Sequence, residues 1–570
     1  MAARLTTYLV VAIVASTLIA GLIVGAQRDD SDGPVDLIIH NGVVYTADGS
    51  GDKVEAVAIR GNQILRVGSD REIERLRRPQ TTMIDAHGAA VLPGFNDANV
   101  QFISAGLSLD EIDLAGAGTM EEIQGRVRTW AAANPERAWV LGRGWDPELL
   151  VDAQPTRQAL DAVVKDRPVV LLSADGHSAW INTKALQASG IGRRTPDPDN
   201  GAIVRDTRTH EATGVLREAA IGLVKRLLPR ATHADRARAL RAAIEEAHRY
   251  GITSVQHVDA SVDDLQLYDE ARRAGDLDIR VYSALALDRI DHDGELERLG
   301  VLSSKYPDDP LVKTGAVSLA IDGRITAQTA ALLQPYEGTA VTGDTVVSPD
   351  ALNRAVRILD AQGWQVIGHA AGDRAVRLAL DAFEHAARSN PTVARGRRHR
   401  VDGLVLADAA DAARFASTGA VPALLPFVAT PTEAWARLLG PGRAAAVMPA
   451  RDLLAARAKL AFGSGWPAGP VNPMESIHAA VNRGTSEDGM ETGVRGISTE
   501  QAINAFTSGA AYASFDEQRK GTLKAGMLAD LVVLSNDIFS APPSRLRAAS
   551  VALTVFDGRV VYRKGPKTTD

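Results

Sequence analysis

The chain has 570 residues, of which 45% are hydrophobic and 23% charged, with a formal net charge of −7 and no cysteine. These are globular proportions, and the length suffices for one large core plus a smaller domain. The charge offers no basic field for nucleic acid, and the missing thiols exclude disulfides, thiolate metal sites, cysteine nucleophiles and acylated cysteine.

The first element in chain order is apolar. Leu5 to Ala26 is 22 residues without a charge, behind Arg4 and ahead of Gln27-Arg28-Asp29-Asp30. At about 1.5 Å per residue such a helix spans a hydrocarbon core of roughly 30 Å. Its length favours an uncleaved transmembrane anchor over a signal peptide, whereas Val24-Gly25-Ala26 would suit a cleavage site. Both readings export the remainder. The expected setting is therefore membrane-anchored, with the soluble domain extracytoplasmic (periplasmic or cell-surface) and residues 27–35 as a polar linker.

Next come strand patterns at Val35 to Ile39 and Ala56 to Ile59, with turns at Asn41-Gly42 and Gly61-Asn62. The far end is similar, with Leu528 to Leu534, Val551 to Val555 and Val560 to Tyr562. A β-domain assembled from both termini would enclose everything between.

The middle alternates helices and strands. Asp235 to Tyr250 sets Leu240, Ala243, Ile244 and Ala247 on one helical face, and a strand over Ile252 to Val255 follows Gly251. Ser348 is an N-cap before Pro349, Leu352, Val356 and Leu359 form a stripe, and Gly363 ends that helix. Gln365 to His369 is then a buried strand, and a helix from Asp373 to Ala386 leads to Arg400-Val401. Such alternation implies an α/β fold with a parallel sheet, and at this length a TIM-type (β/α)8 barrel with its chemistry at the C-terminal strand ends.

Specific motifs sharpen this reading. They include Val91-Leu92-Pro93-Gly94-Phe95-Asn96-Asp97-Ala98, Gly142-Arg143-Gly144-Trp145-Asp146, Asp175-Gly176-His177-Ser178-Ala179-Trp180 and Thr213-Gly214-Val215-Leu216-Arg217-Glu218. Asp322-Gly323, Gly372-Asp373-Arg374, Gly463-Ser464 and Lys520-Gly521 follow in order. Together they resemble amidohydrolase family 3, the N-substituted formamide deformylase-like branch of the amidohydrolase superfamily. The resemblance implies a β-sandwich built from 36–90 and 518–566, and a barrel over 91–517 with an insertion around 145–235. It also implies one or two metal ions whose bound hydroxide attacks an amide-like carbon. Members carry His-x-His on strand 1, a modified lysine on strand 4, one histidine each on strands 5 and 6, and an aspartate on strand 8.

The matching positions here hold other residues. Strand 1 has Asn99 and Gln101, strand 4 has Ser318, strand 6 has Gly403 and strand 8 has Gly465; only His369 on strand 5 is kept. Amide oxygens are weak ligands beside imidazole, serine cannot carry a carbamate, and glycine offers no side chain. Lys313 lies out of register for the lysine position. His399, four residues before Gly403, falls roughly 13 Å away at the other strand end. One imidazole does not make a metal centre, so no catalytic cofactor is expected.

Other residues admit two readings. Asp146, Asp175 and Asp322 lie in pocket-lining motifs, but aspartate before glycine also makes turns, and the turn reading is favoured. Trp145, Trp180 and Trp466 serve equally as pocket wall or core. His257 and His177 could join His369 in a rebuilt site holding zinc or another divalent metal. These readings give two expectations. One is an exported amidohydrolase-fold pseudoenzyme that binds a small molecule in the barrel mouth or serves as an interaction subunit of a membrane assembly. The other is an active hydrolase of non-peptide carbon–nitrogen bonds.

Overall fold

The computed structural model describes residues 34–146, 154–173, 176–199, 201–287, 308–393, 396–429, 433–483 and 496–565, with single positions between 290 and 306. The apolar segment Leu5 to Ala26 lies outside the described residues, as does Asp175. Among the described residues no helix is long and apolar enough to cross a membrane.

Eight parallel strands form the centre. They run Phe95–Val100, Ile252–Ala260, Arg280–Ala286, Val312–Ala320, Gln365–His369, Arg400–Asp402, Val421–Leu424 and Ala461–Phe462, each paired with the next in chain order. The first and eighth strands meet just beyond their ends, where Gly465 N donates to Asn99 O at 2.9 Å and Gln101 N to Trp466 O at 3.0 Å. The sheet is thus a nearly closed barrel. Its helices follow the predicted signals. Ser348 Oγ accepts from Ala351 N at the start of Pro349–Ala361. Thr232 and Asp235 form a capping box that opens His233–Arg249.

Two small sheets lie at one end of the barrel. One contains Leu37–His40, Ala56–Arg60, Gln63–Gly68 and Thr82–Asp85. The other joins the two chain ends, because Leu531–Leu534 pairs antiparallel with Ala90–Pro93. Leu37, Ile39 and Val57 from the first sheet share a core with Val91, Leu531, Val533 and Val555 from the second. The chain crosses from this sandwich to the barrel at Gly94, somewhat later than a boundary at 90. Gly94 N still donates to Asp530 O in the sandwich, and Phe95 N is the first to reach the barrel, at Gly251 O.

The insertion also differs from expectation. It begins near Ile112, not 145, and builds a six-stranded sheet from Ile112–Asp113, Val140–Trp145, Val169–Ser173, Ser178–Ile181, Ala212–Glu218 and Gly201–Arg205. The helix Met120–Ala133 belongs to it, since Ile123 and Val127 pack with Val140, Trp145, Leu171 and Trp180.

A buried ion pair fixes sandwich to barrel. Arg280, at the start of the third barrel strand, donates from Nε and Nη2 to Asp530 at 2.6 and 2.9 Å, and from Nη2 to Asp557 at 2.8 Å. Both members of the first pair are almost fully buried. Breaking such a pair leaves an uncompensated charge and typically costs about 3–5 kcal/mol, whereas an apolar pair of similar volume is far better tolerated. Arg280→Ala should therefore lower the urea midpoint sharply, and Arg280→Met with Asp530→Leu should recover most of the loss. A single variant as stable as wild type would show the pair to be dispensable.

Candidate functional site at the barrel mouth

The C-terminal ends of the eight strands converge on a small set of polar side chains. Asn99, on the first strand, donates from Nδ2 to Asp402 Oδ2 at 2.9 Å. Asp402 ends the sixth strand and also accepts from Arg400 Nε and Nη2 at 3.0 and 2.6 Å. Arg400 spends its remaining donors on Ala98 O, at 2.7 Å, and on the Gln256 amide oxygen. Gln256 donates in turn to Ala510 O at 2.7 Å. Arg400 and Asp402 are wholly buried. The alternation of a strand puts both side chains on the same, inward face.

A second group lies nearer solvent. Gln101 donates to Asp259 Oδ2 at 3.3 Å, and Ser318 Oγ accepts from Asp259 N at 2.9 Å. His369 Nε2 stands 3.6 Å from Asp259 Oδ1, beyond hydrogen-bond reach. Burial alone would raise Asp259, but His369, Ser318 and Gln101 outweigh it and hold the carboxyl at about 2. Burial alone would lower His369, yet Asp259 prevails and raises it. Asp259 sits at φ 57°, a left-handed conformation that aspartate tolerates. The cause is a break in the second strand's register between His257 and Ala260.

Asp97 lies under the junction of the first and eighth strands. It accepts from Ser464 N at 2.9 Å and Asn99 N at 3.1 Å, and burial pushes its carboxyl up to about 6. The two glycine positions contribute backbone only. Gly403 adopts φ 66° and faces open space, whereas a side chain at Gly465 would meet Leu425 Cδ1 at 3.2 Å and Val428 Cγ2 at 3.6 Å.

The three histidines of a rebuilt site are not brought together. His257 points out of the barrel wall, where Tyr268 bonds its Nδ1 at 2.8 Å and burial drives its pKa down to about 4. His177 stays in the insertion sheet, with Nδ1 at 3.1 Å from Glu218 Oε2. His369 stands at the mouth, facing Asp259. Lys313 and His399 lie at the opposite end of the barrel, bonded to Asp516 at 2.6 Å and Asp360 at 3.1 Å.

The remaining expected pocket residues are mostly structural. Asp322 accepts backbone N–H groups from Ala331, Ala371 and Gly372 at 2.8–2.9 Å, so it clamps the loops after the fourth and fifth strands. Burial pushes its carboxyl up to about 6. Trp145 and Trp180 stack edge to face at 5.8 Å inside the insertion core, bonded to Leu171 O and Thr156 O. Trp466 is buried against Phe102. Asp146 is half-buried at the end of the insertion strand Val140–Trp145.

Two residues at the mouth escaped the sequence reading. Asp259 was hidden by the register break, because the strand pattern was followed only to Val255. Asp402 stood in plain view beside Gly403, and its alternation with Arg400 was the available signal.

The donor set does not fit the family's metal. It comprises two primary amides, a hydroxyl, two glycines and one imidazole facing a carboxylate; the amide oxygens are neutral, weak donors, and the amide nitrogens and the hydroxyl hold protein partners. Among the described residues no group of three or more His, Asp or Glu side chains is placed to hold an ion.

A barrel with a terminal-strand sandwich, matched to the amidohydrolase family over residues 82–562, makes this chain a member of that family. It is 30% identical to the amidohydrolase-type protein YtcJ of Bacillus subtilis over 549 residues, covering 92% of this chain and 99% of that one. It is 27% identical to the N-substituted formamide deformylase of Arthrobacter pascens, covering 93% and 98%. Among solved structures, an uncharacterized metal-dependent hydrolase from Pyrococcus furiosus superimposes with a TM-score of 0.69 at 27% identity, covering 89% and 99%.

The His369–Asp259 pair predicts a pH signature. A histidine raised by folding contributes stability that is complete below about pH 6.5 and is lost as pH rises through its folded value. Asp259→Asn should therefore lower the urea midpoint more at pH 6 than at pH 9. An equal loss at both values would show that the pair is not charge-coupled.

Proposed function

We propose that this protein is a membrane-anchored, extracytoplasmic member of the amidohydrolase family that no longer performs metal-dependent hydrolysis and uses the barrel mouth to bind a small molecule. One observation carries this reading. The side chains at the first-strand and fourth-strand ligand positions are engaged with protein partners, Asn99 with Asp402, Gln101 with Asp259 and Ser318 with the Asp259 backbone. Lowering water to a pKa near ~7 needs an ion held by about three protein ligands. A site without them lacks the family nucleophile. The anchor rests on the charge-free stretch from Leu5 to Ala26.

The rival reading, an active hydrolase with a rebuilt three-histidine centre, is weakened by the turn of His257 toward Tyr268 and by the lack, among the described residues, of any group of three His, Asp or Glu side chains placed to hold an ion. A role as an interaction subunit would be favoured if mild detergent extraction recovered a stable partner with the chain.

Elemental analysis of the purified full chain is the decisive measurement. The expected result is far less than one zinc, iron or manganese ion per chain, with no turnover of a panel of N-substituted formamides and amides before or after chelation. A retained stoichiometric ion, together with chelator-sensitive turnover that disappears in His369→Ala, would overturn the proposal.

A further inference from the structure

The mouth has two chemically different halves, and their contacts are continuous. On the polar side His369 and Asp259 face each other, with Gln101 on the far carboxylate oxygen. Gln101 N is bonded to Trp466 O, and Gly465 N to Asn99 O, which brings the eighth-strand loop alongside. Opposite Gly465 stand the methyl groups of Leu425 and Val428. The loop that carries them also exposes Phe427 and Val428, at 43% and 44% of their surfaces. Where the family resemblance places a carboxylate, this chain presents hydrocarbon.

The polar half is incomplete in one respect. His369 Nε2 is buried, and among the described residues it has no acceptor within hydrogen-bond distance. A buried donor that has an ion-pair partner but no hydrogen-bond acceptor favours any ligand oxygen that can reach it. Charge at the mouth is otherwise balanced. Asp259 is matched by His369, and Asp402 beneath it by Arg400. A charged ligand group placed there would find no counter-ion and would give up its hydration.

We infer that the mouth binds an uncharged amphipathic molecule, its apolar body against Leu425, Phe427 and Val428 and a hydroxyl-type oxygen between His369 Nε2 and Asp259. That oxygen accepts from the imidazole, and its own O–H donates to the carboxylate. The inference rests on the ligand-binding reading above and names the chemistry of the ligand.

The test uses the full chain in lipid nanodiscs, with equilibrium dialysis of radiolabelled 2-phenylethanol, phenylacetate and 2-phenylethylammonium and empty nanodiscs as the reference. These probes share an apolar body and differ in head charge. The alcohol should bind at least about tenfold more tightly than either ion. Phe427→Ser with Val428→Ser, both exposed and so tolerated by the fold, should weaken the alcohol about tenfold. His369→Ala should erase the preference for the neutral head. Equal binding of a charged analogue, or alcohol binding unchanged in both variants, overturns this inference and leaves the ligand-binding reading standing. Absence of binding by all three probes counts against both.

Discussion

The interior of the barrel depends on the Arg400–Asp402 ion pair. Two charges lie side by side with no exposed surface, so their lost hydration must be offset by protein atoms alone. The offset is nearly complete. Arg400 reaches Asp402 twice, Ala98 O and the Gln256 amide oxygen, and Asp402 accepts once more from Asn99. The first, second and sixth strands are thereby tied together, and Gln256 extends the tie to Ala510. A metal-binding barrel keeps its inward polar atoms free for an ion. Here the Asn99 amide nitrogen, Arg400 and Asp402 are hydrogen-bonded to one another.

Loops above the core are held by similar means. Asp322 gathers three backbone N–H groups from two loops, and Ile321 N donates to His369 O at 2.9 Å, so the position of His369 is set by the same short segment. At the other end, Arg280 grips Asp530 and Asp557 in the chain's final strands. Buried carboxylates therefore hold both ends of the barrel, Asp322 at the mouth and Asp530 at the sandwich.

Local signals made much of this legible. The Ser348-Pro349 helix start, the Gln365–His369 strand and the helix after Gly372 appear where capping and periodicity place them. Strand rise placed His399 at the far end of its strand, where it bonds Asp360, and Lys313, read as out of register, pairs with Asp516. The failures also have physical causes. Ile112–Asp113 is too short to carry a period, so the insertion's first strand was invisible. Asp259 enters the mouth through a register break, which a two-residue repeat does not encode. The outward turn of His257 follows from that same strand geometry and was not accessible from spacing.

The two glycines at the positions that the family resemblance assigns to metal ligands carry a consequence for substitution. Gly403 and Gly465 hold φ values of 66° and 69°, where an L-residue pays roughly 1–2 kcal/mol. A β-branched side chain would meet that cost in full at either position, whereas aspartate, which Asp259 shows to be tolerated in this conformation, would at Gly465 chiefly have to displace Leu425. A side chain added at Gly403 would meet open space, so the two positions differ in what they admit at the rim of the barrel.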